Sequence, residues 1–218
     1  MIKSHILSTL GLDDAFAKPM NNILPLDISG NNDAQIHHDM INKFRPQLLI
    51  EVGTWKGSSA IATAKILKSL HLDSVVICID TWLGGMSQLT KKDKTWGLDS
   101  YLRNGYPTVY DQFASNVLLS EVQDYIIPIP NTSSAVSRWL KSKKIFADLI
   151  YIDGSHEYED VYQDLKNYNP LLNPNGIIWG DDWHIHAHGV VAAVTQFAHE
   201  NSLNLVNDHK YNKWFLAK

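Results

Sequence analysis

Short, nearly continuous apolar runs alternate with amphipathic stretches along this chain. The runs are LLIEV (48–52), VVICID (75–80), YIIPI (125–129), DLIYID (148–153) and GIIWG (176–180), followed by LNLV (203–206) and KWFLA (213–217). Each is rich in β-branched and aromatic residues and lacks strict alternation, as strands buried on both faces of a parallel sheet do. The segments between them have helical spacing. SSAIATAKILKSL (58–70) gathers Ile61, Ala64, Ile66, Leu67 and Leu70 on one side, and Tyr110 to Leu119 gathers Phe113, Val117 and Leu118. Tyr158 to Leu172 gathers Val161, Leu165, Tyr168 and Leu172, with NPNG after it, and Gly189 to His199 gathers Val190, Val191, Val194, Phe197 and Ala198. Strand and helix in alternation predict a doubly wound α/β domain. The last two runs, joined by NDHKYN, predict an antiparallel hairpin at one edge of a mostly parallel seven-stranded sheet. The stretch from Trp82 to Pro107 is the one long connection, and such loops serve as lids or binding loops.

Composition narrows the class of protein. A chain of 218 residues suits one domain with a self-sufficient core. Cys78 is the single cysteine, so no disulfide framework exists, and its apolar setting predicts a buried thiol in a reducing, cytoplasmic setting. A net charge of −4 argues against a nucleic-acid-coating protein. No apolar run approaches the ~20 residues of a membrane span, and MIKSHILSTLGLDDAF lacks the apolar region of a signal peptide.

Candidate chemistry lies where strands end, because open α/β sheets bind ligands beyond the carboxyl ends of their strands. The first strand runs into Glu51-Val52-Gly53-Thr54-Trp55-Lys56-Gly57-Ser58. This is an E-x-G-x-x-x-G loop, without the middle glycine of the G-x-G-x-x-G dinucleotide pattern. The second strand ends on Asp80, whose carboxylate can accept hydrogen bonds from ribose hydroxyls. An ordinary turn with a capping acid explains either feature alone; together, in this order, they favour a nucleoside ligand. The fourth and fifth strands end in Asp153-Gly154-Ser155-His156 and Gly180-Asp181-Asp182-Trp183. Carboxylates gathered in one crevice repel, so some take up protons or a cation joins them. Mg²⁺ accepts few carboxylates and keeps positions open for ligand oxygens. Asp181 and Asp182 can share a metal only where the strand is already turning, since neighbouring strand residues face opposite ways.

EVGTWKGSSA, CIDTWLGG, ADLIYIDGSHEYEDVYQDLKNYNPLLNPNGIIWGDDW and KWFLAK together resemble the class I S-adenosylmethionine-dependent methyltransferases. More narrowly, they resemble the small metal-dependent O-methyltransferases related to the macrocin and mycinamicin sugar methyltransferases, a branch that includes proteins named cephalosporin hydroxylase. The resemblance spans residues 36–218 and implies a Rossmann-like fold, with residues 1–35 left as an N-terminal segment for a substrate lid or an oligomer contact. It implies that Glu51, Gly53, Thr54, Gly57 and Ser58 hold the methionine part of S-adenosylmethionine, and that Asp80 holds the ribose. Thr81, Trp82 and Ser133 would face the adenine, although Asn131 stands where relatives often carry an aspartate. Asp153, also beside the cofactor, would join Asp181 and Asp182 as ligands of Mg²⁺ or another divalent cation, and His156 would be the catalytic base. The implied partner is a small-molecule or sugar acceptor.

Other features have plainer readings. His184, His186 and His188 suggest zinc, but no cysteine lies nearby and the adjacent aspartates suit a harder ion. Trp96 and Trp183 are candidates to stack on an acceptor ring, and the KKDK run at 91–94 reads as a solvated loop. Two rival functions stay open at this point: an NAD-type oxidoreductase on a similar fold, and a non-catalytic cofactor-binding or scaffold protein.

Overall fold

A computed structural model describes residues 1–28, 34–90, 96–184 and 186–217. The expected KKDK loop lies outside the described residues. In chain order the elements are α1 (Ile2–Leu10), α2 (Ala34–Phe44), β1 (Leu48–Val52), α3 (Ser58–Ser69), β2 (Val75–Asp80) and α4 (Met86–Thr90). There follow β3 (Leu102–Arg103), β4 (Tyr106–Pro107), α5 (Val109–Leu119), β5 (Ile126–Pro130), α6 (Ser133–Ser142) and β6 (Ala147–Ile152). The chain ends with α7 (Tyr158–Tyr168), β7 (Leu172–Gly180), α8 (His188–Glu200), β8 (Asn204–Asp208) and β9 (Lys213–Ala217).

Seven strands form one sheet in the order β5-β2-β1-β6-β7-β9-β8. The first five positions pair in parallel; β9 pairs antiparallel with β7 and β8. This is the doubly wound sheet with a C-terminal hairpin that the apolar runs predict. Strand pleating sorts their side chains onto two faces. Ile50, Ile77, Ile150 and Ile178 enter one core, packed under α1, α6, α7 and α8. Leu49, Val76, Cys78, Leu149, Tyr151 and Trp179 enter the other, packed under α2, α3 and α5. Both faces are covered, so these strands read as unbroken apolar runs.

Two local outcomes differ from the sequence pattern. α7 stops at Tyr168, four residues before the periodicity ends, because Pro170 has no N–H to continue the helical hydrogen-bond ladder, although Asn169 itself keeps helical dihedral angles. A short 3₁₀ turn then leads directly into β7, which absorbs the NPNG segment. α6 is hidden by its polar composition: it buries only Val136, Ser137 and Leu140 and starts at Thr132, whose hydroxyl accepts the Ala135 N–H at 3.3 Å. Within the N-terminal segment, α1 packs on the domain, with Ile6 and Leu10 in the first core.

Strand order reverses between β1 and β6, the place where open α/β sheets form their ligand crevice. Gly53, just past β1, makes that crevice narrow. Its φ of +85° suits glycine, and a Cβ there would lie 2.2 Å from the Asp153 carbonyl oxygen.

Candidate active site

One cleft of about 620 Å³ opens over the carboxyl ends of β1, β2, β5, β6 and β7. Gly53, Thr54, Ser58, Asp80, Thr81 and Ser133 line one half, and Asp153, His156, Asp181 and Asp182 line the other. Three of the expected cofactor residues do not reach its surface. Glu51 is buried beneath it, Gly57 caps α3 against Phe113, and the Trp82 ring turns into the core against Tyr110 and Phe113. Trp82 has a φ of +52°, and its indole N–H donates to the Trp55 carbonyl at 2.7 Å, so it braces the glycine loop from behind.

The glycine loop closes on Asp80. One carboxylate oxygen accepts the Thr54 and Trp55 N–H groups at 2.9 and 2.7 Å, and the other accepts the Trp82 N–H at 2.7 Å. Burial nevertheless raises the Asp80 pKa above the ordinary carboxylate value, since the backbone donors only partly replace water. Glu51 is more extreme. Burial lifts its pKa to about 8, opposed in part by the Ser59 hydroxyl donating at 2.9 Å, and the Asp80 charge lifts it further. The Thr54 hydroxyl, also buried at the cleft, has no hydrogen-bond partner among the described residues. Ser133, at the start of α6, donates to Asp164 of α7 at 2.5 Å, and burial places the Asp164 pKa at about 6.

The opposite half holds the acids. Asp153, His156 and Asp182 each offer a ligating atom within 4.8 Å of the others. His156 Nε2 lies 2.7 Å from one Asp182 oxygen, and His184 Nε2 lies 3.3 Å from the other. Burial works against the Asp182 charge, but the two histidines outweigh it and hold the pKa below the usual value. Asp153 behaves in the opposite way: burial, then the charges of Asp181 and Asp182, push its pKa well up. The Asp181 side chain points elsewhere. It meets Lys213 at 2.7 Å and accepts the Tyr151 hydroxyl at 3.3 Å, deep in the protein. Trp96 does line the cleft, whereas Trp183 is buried in the first core. His186 and His188 are exposed and join no metal-competent group among the described residues.

Two contributors have no motif of their own in the sequence. Lys56, inside the glycine loop and 1% exposed, holds both carboxylate oxygens of Asp27 at 2.9 Å and meets the Tyr101 hydroxyl at 3.1 Å. Thus residues 24–28 are strapped to the glycine loop; Asn116 extends the strap by donating to the Asp27 and Lys56 carbonyls at 2.7 and 2.9 Å. Lys213 is the second. A lysine inside the apolar KWFLA run, on a position the pleat turns inward, is the one trace it leaves in the sequence.

A family model described as a methyltransferase domain matches residues 50–183, from β1 through the Asp181–Trp183 turn. The chain belongs to this methyltransferase family. Solved structures share the fold of this methyltransferase at low identity. The O-methyltransferase NovP is 16% identical with a TM-score of 0.64, covering 87% of this chain and 80% of its own. The O-methyltransferase from Bacillus cereus in complex with SAH is 13% identical with a TM-score of 0.61 over 100% of both chains. TomG from Streptomyces achromogenes, in complex with SAM, is 13% identical with a TM-score of 0.58 over 99% of this chain and 94% of its own. By sequence, the methyltransferase is 24% identical over 151 residues to y4gI of Sinorhizobium fredii. That stretch is 69% of this chain and 14% of y4gI, so the chain spans a small part of that relative's length.

Proposed function

We propose that this methyltransferase transfers the methyl group of S-adenosylmethionine to a hydroxyl oxygen of a small molecule or sugar, assisted by a divalent cation such as Mg²⁺. The observation that carries this reading is the position of His156, Asp153 and Asp182 in the same cleft as the glycine loop. The SAH and SAM complexes of the Bacillus cereus enzyme and TomG support the choice of cofactor. The residues fit both groups. The unpartnered Thr54 hydroxyl and the cradle at Gly53, which a Cβ would fill, suit a polar ligand held close to the backbone. On the other side, Asp153 and Asp182 offer two carboxylates to one divalent ion beside the His156 imidazole, and Mg²⁺ takes one or two carboxylates.

S-adenosylmethionine supplies a methyl group on a positively charged sulfur, and a cation held by Asp153 and Asp182 supplies positive charge beside the acceptor oxygens. The protein's own part is alignment and proton removal. In-line displacement depends on holding the acceptor oxygen opposite the leaving sulfur, so the cleft walls contribute much of the rate. A protonated hydroxyl is a poor nucleophile. His156 takes that proton, and Asp182 at 2.7 Å orients its ring and stabilises the imidazolium that results. Asp80 secures the loop that seats the cofactor; to accept ribose hydroxyls it must share a carboxylate already engaged by three N–H donors. The cleft lining is polar, including Ser87, Gln88, Asp160 and Gln163, with Trp96 also in the wall, which suits a hydroxylated ring such as a sugar.

Calorimetric titration tests the cofactor assignment. S-adenosylhomocysteine binding with micromolar or tighter affinity and no binding of NAD is the expected result; preferential NAD binding overturns it in favour of an oxidoreductase.

A further inference from the structure

The C-terminal hairpin grips the turn that carries the acids. Antiparallel pairing of β7 with β9 ends at Gly180–Trp214, so Asp181 and Lys213 are the next residues along both strands. Three consecutive residues of one segment hold Asp181 and Trp183 of the other. Asn212 accepts the Trp183 N–H at 2.7 Å, the Trp214 indole donates to the Asp181 carbonyl at 2.9 Å, and the Lys213 ammonium meets the Asp181 carboxylate at 2.7 Å. The same Asp181 oxygen accepts the Asp182 N–H at 2.7 Å. Asp182 itself has a φ of +62°, a left-handed conformation that a non-glycine residue keeps only when its surroundings impose it.

Lys213 is 0% exposed, and the Asp181 side chain is 4% exposed. A buried ion pair of this kind contributes little net stability against its own desolvation, so its presence calls for another account. Charge balance gives one. Asp153, Asp181 and Asp182 bring three carboxyl groups to one end of the sheet. Lys213 pairs internally with one of them, and the two that remain, beside His156, balance a divalent cation when both are ionised.

We propose that Lys213 is a charge-compensating residue: it commits Asp181 to an internal ion pair outside the ligand set and leaves Asp153 and Asp182 as the two carboxylates that take the cation. This rests on the metal-assisted reading above, and it removes Asp181 from the ligand set that the sequence resemblance implies.

The test is calorimetric titration of the full-length protein with Mn²⁺ alone. Asp181→Asn leaves an uncompensated lysine beside Asp153 and Asp182, and is expected to weaken Mn²⁺ binding at least tenfold. Lys213→Met/Asp181→Asn removes both charges and is expected to restore affinity to within threefold of the wild type. Should that variant not fold, Lys213→Gln/Asp181→Asn makes the same charge change and keeps a hydrogen-bonding pair. Were Asp181 a ligand, the double variants would bind Mn²⁺ as poorly as Asp181→Asn, and that result overturns the proposal while leaving the metal reading intact. A wild type that binds no Mn²⁺ overturns both. S-adenosylhomocysteine affinity, measured in parallel, is expected to stay within threefold in every folded variant.

Discussion

Glu51→Gln isolates the energetic cost of a carboxyl group buried beneath the glycine loop. In the unfolded chain Glu51 titrates near 4.5, and in the folded protein burial holds the proton to about pH 8. Below pH 4.5 both states are protonated and nothing is lost. Between the two values only the unfolded chain releases the proton, so stability falls as pH rises, and above 8 the loss is complete. The pKa difference corresponds to ~5 kcal/mol above pH 8 and ~3 kcal/mol at pH 7, at about 1.4 kcal/mol per unit. Glutamine keeps the oxygen that Ser59 bonds and cannot ionise. Urea unfolding of both proteins at pH 5, 7 and 9 therefore has a defined outcome. The variant gains on the wild type by ~3 kcal/mol or more between pH 5 and 9, a midpoint shift of roughly 1–2 M at a slope near ~2 kcal/mol per M. Parallel stability profiles for the two proteins would refute the assignment of that cost to Glu51.

Other consequences are equally specific. Gly53→Ala forces a side chain into a left-handed residue and against the Asp153 carbonyl, and is expected to destabilise by about 3 kcal/mol or more, visible as a lower urea midpoint. Asp27→Ala takes the carboxylate from buried Lys56 and releases the strap; a loss of roughly 2–4 kcal/mol is expected, with faster proteolysis near residues 20–28. Asp182→Asn removes a carboxylate from the cation site and the partner of His156, so methyl transfer is expected to fall at least a hundredfold while S-adenosylhomocysteine binding, followed by calorimetry, stays within threefold.

The parallel core of the sheet was legible because both its faces are covered, which leaves strands such as VVICID and LLIEV as unbroken apolar runs. α6 was not, since it is short and polar overall: Val136, Trp139 and Leu140 make one narrow apolar stripe among serines and basic residues. At the site, the strand-end acids and the glycine loop could be named from their positions alone. The direction of each side chain could not. Asp181 and Asp182 are adjacent and chemically identical, yet one faces Lys213 and the other His156, an outcome set by a hairpin 30 residues further along. Trp82 shows the same limit: it follows Asp80 in sequence, but a left-handed turn sends its ring into the core.

The most direct test of the account is transfer of a labelled methyl group from S-adenosylmethionine to a panel of sugars and vicinal diols. Chelated and Mg²⁺-restored wild type would be compared with His156→Ala. Label in an ether linkage on one acceptor class, lost on chelation, restored by Mg²⁺ and lost in His156→Ala, is the predicted result. Undiminished transfer after thorough chelation, or by His156→Ala, would contradict it.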